Sequence, residues 1–542
     1  MATPRATTNN TEIIQNSYID FHTKLQTNTT PDSKFVRPFD DETQEFGILK
    51  IKVNNTPMIK SPQFILFTLD RSQSMSETCE GNLTKMEHAK HTIKNIVKLI
   101  VNTANESGPI FIQVFIFDDE VEEVISKIQV SKKNIAEINK KINSIEPRNS
   151  TNIEIALQKA REILESEYMT DIDGRVKTHI FLTDGIPTAG ETNITRLIKN
   201  EMEKELKKIE NQEDSNIYIG YGEDHNGNLL QTISSNKKNG YYYFVDKIEN
   251  AGFVFGEIIH GILYPALNNV NITIDNGEIY NYKTNTWSTH LYIPTILGES
   301  KKIYHVRSKT PNDIQANLVA KNTITNEEYS DTIYKLPYLI TPENTIYEND
   351  LTKYILRQKT QEYLYHARSV SLSIDNISSV MIIFPRHTKK EISEKMQNMR
   401  KEIKSFLEFL KNHIKAYDLQ NDKFYTMLYE DIYVAYKTFG TERGIMYAGA
   451  RQNSQGRQTS YTVSSQIEND FEFNDINSTM LTTNSDNLSI NTTPTQLKVM
   501  CYVSDRSSSP PLIPKEEIHP EDYRPLTELD NIMLFNRRNV IG

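Results

Sequence analysis

Residues 65–76 read ILFTLDRSQSMS: an apolar run stops on Asp70, and hydroxyls follow at Ser72, Ser74 and Ser76. Alternate residues of an extended segment face the same way, so Asp70, Ser72 and Ser74 can offer their oxygens to one point. Two other stretches carry matching oxygens. RNSTNIEIAL places Thr151 at the start of a helical pattern, and FLTDGIPTAG places Asp184 at the end of a second apolar run, with Gly185 letting the chain turn. Five oxygen-bearing side chains from three loops suit a hard divalent cation. Mg²⁺ takes about six oxygens at roughly 2.0–2.1 Å and usually keeps some water, and Mn²⁺ or Ca²⁺ could use the same oxygens. The charge count adds direction. Two carboxylates balance one dication, while three hydroxyls add geometry without charge, so an open position would still attract a carboxylate from outside. The local alternative is that Ser72 and Ser74 cap the following helix and Asp184 closes a turn.

The elements that must position these loops are legible as alternating strands and helices between 63 and 266. QFILFTLD (63–70) and KTHIFLTDG (177–185) are continuous apolar runs of the kind buried on both faces. KMEHAKHTIKNIVKLIVNTA (85–104) and NIEIALQKAREILESE (152–167) have apolar residues at helical spacing. PIFIQVFIF and VEEVISKI flank DDE, which suggests a hairpin, and SNIYIGYG and YYYFVD supply two more strands. Strands separated by helices of this length imply a largely parallel, three-layer α/β sheet. In such sheets ligands bind at the carboxyl ends of the strands, where Asp70 and Asp184 fall.

In that order, DRSQS at 70–74, Thr151 in STNIEIAL and Asp184 in LTDG resemble the metal-ion-dependent adhesion site of the von Willebrand factor type A family. The resemblance covers about 63–266 and includes IYIGYGEDHNGNLLQTIS, similar to the family's fifth strand and following helix. It implies a Rossmann-like domain in which Ser72, Ser74 and Thr151 are direct metal ligands. Asp70 and Asp184 would bind directly or through water, and a partner's Asp or Glu would complete the coordination. One departure is NST before the helix, where the family often has glycines.

The flanks fit a larger plan. A strand FGILKIKV (46–53) before the α/β stretch and short strand-like pieces after it resemble proteins in which a type A domain is inserted into a β-sandwich, with Trp287 in or near the sandwich core. FGTERGIMYAGARQNSQGRQTSYT (439–462), following three long helices, resembles the helical module that accompanies type A domains in some intracellular proteins. The expected organisation is a flexible segment at 1–45, a sandwich from 46–62 plus 268–337, the α/β domain at 63–267, a helical domain at 338–451, and a largely disordered tail at 452–542 containing one short strand, QLKVMCYV.

Composition narrows the function. The 542 residues carry a net charge of −10, which argues against a nucleic-acid binder. Two cysteines, Cys79 and Cys501, exclude a disulfide framework and a cysteine-rich zinc module. MATPRATTNNTEIIQNS lacks the apolar core of a secretion signal, and GFVFGEIIHGILYPAL (252–267) is too short and too charged to span a membrane. A cytoplasmic protein is expected, or a virion-borne one if viral, since abundant Asn, Ile and Lys fit the AT-rich genomes of some large DNA viruses and protists. No nucleic acid or membrane partner is expected, and oligomeric state is left open. No phosphate loop and no nucleophile elbow occur. The expectation is therefore a binding protein and not an enzyme. A metal-dependent hydrolase or phosphotransferase would need Asp118, Asp119 or Glu223 as a base, and a ubiquitin-pathway scaffold would rest on the helical resemblance alone. Glu257 and His260, one helical turn apart, are expected in the core.

Overall fold

The computed structural model describes residues 13–23, 33–79, 82–170, 175–206, 214–336, 350–378, 386–463 and 488–504. The chain begins with β1 (Tyr18–Phe21), a single turn α1 (Ser33–Val36) and β2 (Glu45–Lys52). An α/β unit follows: β3 (Gln63–Asp70), α2 (Lys85–Thr103), β4 (Ile110–Phe117), β5 (Val121–Gln129), α3 (Ile135–Asn143), α4 (Ile153–Thr170), β6 (Val176–Thr183), α5 (Ile194–Leu206), β7 (Ser215–Tyr221), α6 (Gly227–Ser235), β8 (Gly240–Val245) and α7 (Ala251–Leu263). Its six strands lie in the order β5-β4-β3-β6-β7-β8. All pairs are parallel except the β4–β5 hairpin.

Every residue of β3 is buried, because helices cover both faces of the sheet. Strand β3 sits between β4 and β6, and the β3–β6 register ends with Leu69 opposite Leu182. Asp70 and Asp184 therefore leave neighbouring strands at the same edge. Helix α2, which follows the first donor loop, starts on a reciprocal cap. Thr84 Oγ1 accepts from the Glu87 amide at 3.1 Å, and the Glu87 carboxylate accepts from the Thr84 amide at 2.7 Å.

Beyond the α/β unit run β9 (Pro265–Asp275), β10 (Glu278–Asn281), β11 (Thr286–Ser288), β12 (His290–Leu297), β13 (Lys301–Ser308), β14 (Gln315–Asn322) and β15 (Glu328–Tyr334). They form two antiparallel sheets, β1-β2-β13-β10-β11 and β12-β9-β14-β15. Ile19, Phe21, Leu49, Ile51, Val270 and Ile272 share the core between them. The reading of 1–45 as flexible is corrected over its described part: Ile13, Ile14, Ile19, Phe21 and Phe35 are buried. The four-residue pattern of β1 is too short to stand out among its polar neighbours. Residues 1–12 and 24–32 lie outside the described residues. Trp287 is half-buried at the outer edge, edge-on to Phe39 at 5.4 Å and beneath the Arg307 guanidinium.

The helical part comprises α8 (Thr352–Ser378), α9 (Arg386–Ala416), α10 (Lys423–Thr438) and α11 (Glu442–Arg457), followed by α12 (Pro494–Ser504). Helix α11 lies against α6 and β8 of the α/β unit. The strand expected at QLKVMCYV is corrected: it is the body of α12, whose Val499, Met500 and Val503 pack into the α/β core. The rest of the 464–542 tail, apart from 488–504, and the boundary expected between 337 and 338 lie outside the described residues. Both cysteines are free thiols. Among the described residues no helix is long and apolar enough to cross a membrane.

Helix α12 reaches α7 because two glycines leave room for it. A Cβ at Gly256 would lie 2.4 Å from Met500 Cα, and one at Gly252 would lie 2.4 Å from Ser504 Cα. Gly261, on the same helix, would meet nothing within 4 Å. Gly261→Ala should therefore stabilise by up to about 1 kcal/mol through helix propensity. Gly256→Ala should destabilise by about 1–3 kcal/mol through overpacking and speed proteolysis within 494–504. Urea unfolding and limited digestion of the two variants would check this; equal effects would remove the steric account.

Candidate functional site

Asp70 closes β3 with no solvent exposure. One carboxylate oxygen accepts from the Ser72 amide at 2.7 Å and the other from the Thr183 hydroxyl at 2.5 Å. Burial, and then the nearby Asp184, push the Asp70 carboxyl up to about 7. The segment Gln73–Ser76 forms a single helical turn fixed from below by Met75, which is wholly buried. That turn holds the Ser72 and Ser74 hydroxyls 3.0 Å apart, and Ser74 Oγ donates to Asp184 Oδ1 at 2.8 Å.

The second loop is tied to the first by backbone bonds. The Arg148 amide donates to the Arg71 carbonyl at 2.7 Å, and the Gln73 amide donates to the Asn149 carbonyl at 3.1 Å. Asn149 takes a left-handed φ of 59°, a conformation asparagine tolerates better than most side chains. The NST departure from a glycine-rich loop is thus accommodated by its asparagine. Thr151 is buried and held from the third loop: its amide donates to the Thr188 hydroxyl at 2.8 Å, and its carbonyl accepts from the Thr188 and Ala189 amides at 2.9 and 3.1 Å.

The third loop brings Asp184, also without solvent exposure. A Cβ on Gly185 would lie 3.6 Å from Thr151 Oγ1 and 3.8 Å from Ser74 Oγ, so hydroxyls from two other loops converge beside this glycine. Burial raises the Asp184 carboxyl, and Lys85 and Ser74 oppose that rise. Lys85 Nζ donates to Asp184 Oδ2 at 3.0 Å and to Glu77 Oε2 at 2.6 Å, and lies 3.8 Å from Asp224.

All five sequence-selected residues, Asp70, Ser72, Ser74, Thr151 and Asp184, therefore sit at one edge of the sheet in one bonded cluster of loops. Among the described residues there is no group of three or more His, Cys, Asp or Glu side chains that could hold a metal ion. Two buried carboxylates with three hydroxyls nevertheless fit a hard dication, whose charge would relieve the repulsion between the acids. Both Asp70 oxygens already accept hydrogen bonds, which suits a carboxylate that meets an ion through water.

The three candidate bases flank this edge, each engaged by neighbouring donors. Asp118 would be raised by burial, but Arg148, the Glu120 amide and Arg71 hold it below the usual carboxylate range. Arg71 Nε and Arg148 Nε donate to one of its oxygens at 2.9 and 2.7 Å. Asp119 accepts from Asn149 at 2.8 Å. Glu223 is gripped from α11 by the Tyr447 hydroxyl and Arg443, both at 2.8 Å. His260 is stacked on Tyr264, and Glu257 accepts from the Tyr461 amide at 2.9 Å, so both belong to the core.

Sequence reading missed Lys85, Thr183 and Thr188. Lys85 carried a signal. It is the first residue of α2, where a cation opposes the helix dipole and so invites another explanation. The two threonines carried none, since Thr183 depends on the register of β3 with β6 and Thr188 on the path of the loop after β6.

Residues 65–257 match the family model described as the von Willebrand factor type A domain. No curated protein matches the chain. Similar solved structures include a von Willebrand factor type A protein from Catenulispora acidiphila, at 14% identity and a TM-score of 0.40, covering 61% of this chain and 78% of that one. The pilus adhesin SpaC from Lactobacillus rhamnosus GG is 14% identical with a TM-score of 0.31, covering 55% and 47%. The conserved hypothetical protein BatB from Bacteroides thetaiotaomicron is 19% identical with a TM-score of 0.27, covering 37% and 98%. The family-model match falls on the six-stranded sheet and its helices, so residues 65–257 form a von Willebrand factor type A domain.

Asp70 also gives a pH dependence. Its contribution to stability is fully present below the ordinary carboxylate value of 3.8 and is lost as pH rises through about 7, because the folded state holds the proton more tightly. In chelator, wild type should lose roughly 2–4 kcal/mol relative to Asp70→Asn between about pH 4 and pH 8. Urea unfolding across that range would show it; parallel curves would refute it.

Proposed function

We propose that the type A domain is a divalent-cation-dependent protein-binding module. An ion, Mg²⁺ or its relatives Mn²⁺ and Ca²⁺, would be held by Asp70, Ser72, Ser74, Thr151 and Asp184. A partner protein's Asp or Glu would complete its coordination. The observation that carries this reading is the meeting of three separate loops around two carboxylates and three hydroxyls. Four or more acids would quench an ion's attraction for an external carboxylate, whereas two leave it intact.

Each residue has a distinct task in this reading. Ser72, Ser74 and Thr151 offer neutral oxygens. Asp184 offers charge and orients Ser74 through their hydrogen bond. Asp70, with both oxygens engaged by the Ser72 amide and Thr183, orients bound water. When bound, the ion would act as a Lewis acid toward the guest carboxylate and do no bond-breaking. Asp118, Asp119 and Glu223 are each engaged by a neighbouring donor, so no observation favours the hydrolase reading.

Asp70→Ala should lower Mg²⁺ and Mn²⁺ affinity by roughly 10–100-fold in calorimetry, the scale seen when the groups that orient metal ligands are removed. Unchanged affinity would sink the metal assignment. A pull-down performed with magnesium and repeated in chelator should lose its partner in chelator; a partner retained there would remove the metal from the binding reaction.

A further inference from the structure

Lys85 is an odd residue to find where it is. It is buried, its ammonium sits in the first turn of α2, and the amino-terminal end of a helix repels a cation. Three acids from three loops surround it: Asp184 at 3.0 Å, Glu77 at 2.6 Å and Asp224 at 3.8 Å. Glu77 and Asp224 are largely exposed, but Asp184 is not exposed at all. Burial alone would lower the ammonium, yet Glu77 and Asp184 outweigh it and keep Lys85 charged. Gly222 lies beside it with a φ of 86°; a Cβ there would make ordinary contact at 3.6 Å from Lys85 Cε, so the backbone conformation and not the lysine favours glycine.

We infer that Lys85 is a tethered cation that competes with the divalent ion for Asp184, and so sets both the affinity for the ion and the charge left for the guest. This rests on the metal-binding reading above. With both carboxylates ionised, Asp70, Asp184 and Lys85 sum to one negative charge, while the buried Arg71 and Asp118 beside them pair with one another. Adding a dication makes the filled site one charge positive, and a guest carboxylate restores neutrality. Without Lys85 the filled site would be neutral before any guest arrived. Lys85 thus weakens ion binding and strengthens the preference for an anionic partner. In the metal-free protein it takes over part of the ion's work by neutralising Asp184 and holding the third loop against α2.

The test compares full-length wild type with Lys85→Met and Lys85→Arg, each stripped with chelator and titrated with MnCl₂ by calorimetry. Melting temperature is measured in chelator and in saturating Mn²⁺. Lys85→Met should bind Mn²⁺ at least about tenfold more tightly, since removing a unit charge a few ångströms from a dication changes the Coulomb energy by more than that at an effective dielectric near 20. It should also melt lower in chelator and gain more from Mn²⁺ than wild type does. A merely structural ion pair would give the lower melting temperature without the tighter binding. Lys85→Arg keeps the charge and should stay close to wild type. If Lys85→Met does not fold in chelator, Lys85→Gln refolded in Mn²⁺ and dialysed against graded chelator gives the same affinity. Equal or weaker Mn²⁺ binding by Lys85→Met, with wild type binding normally, overturns the inference and leaves the metal reading standing. Binding by Lys85→Met alone supports it, since Lys85 would then exclude the ion. Absence of binding in both removes the metal reading and the inference together.

Discussion

Two carboxylates are buried at the ends of neighbouring strands, and the rest of the domain is arranged around tolerating them. Asp70 and Asp184 have no contact with solvent, and like charges so placed disfavour one another's ionisation. The loops answer with donors. The Ser72 amide, Thr183, Ser74 and Lys85 each supply a hydrogen to one carboxylate oxygen. Such a cluster is costly if partly satisfied and rigid if fully satisfied. Rigidity follows here from cross-links between loops: Arg148 to Arg71, Gln73 to Asn149, and Thr188 to Thr151. Beside them, the buried Asp118 gathers Arg71 and Arg148 and so locks the flank of the same edge.

The helical segments after the sandwich are not a separate appendage. Helix α11 grips Glu223, in the loop after β7, and Phe244 packs edge-on against Tyr447 at 5.2 Å. The next residue, Asp224, faces Lys85. Within α11, Arg451 pairs with buried Asp431 of α10 at 2.5 Å, and Gln455 bonds the other oxygen at 2.7 Å. These bonds fix α11 to α10 while its outer face meets β8. The edge of the sheet that carries Asp70 and Asp184 is therefore braced from one side by residues more than two hundred positions further along the chain.

The site was readable in the sequence because its chemistry is local. Each donor sits within a few residues of a strand end or helix start, and strand ends are marked by where apolar runs stop. What was not readable depends on register or on distance. Thr183 serves Asp70 only because β3 and β6 are neighbours in register. Asp118 looked like a free acid because nothing local announces that Arg71 and Arg148 converge on it. Helix α12 is different, since its signals were present. Thr493 and Gln496 cap one another at 3.0 and 3.2 Å, with Pro494 in the first turn. The β-branched and aromatic content of QLKVMCYV reads as a strand by itself, while the cap just before it and the room left by the glycines of α7 suit a helix. Strand β1 was lost in the opposite way, as four ordered residues among polar neighbours.

The pairing of β2 with β13 joins Lys52 to Lys301, residues about 250 positions apart, with the whole α/β domain between them. Closing so long a loop in an unstructured chain carries a large entropic penalty and slows folding. The Ile59 amide, however, donates to the Leu263 carbonyl at 2.9 Å, so the inserted domain, once folded, returns the chain to the point where it left. A folded insert shortens the effective loop to about 45 residues, 7 before Ile59 and 38 after Leu263. During synthesis β2 emerges early, and its pairing with β13 waits until residues 301–308 have been made. The sheet β12-β9-β14-β15 lies wholly after the insert and has no such wait, so the two halves of the frame differ in how far they depend on the α/β domain.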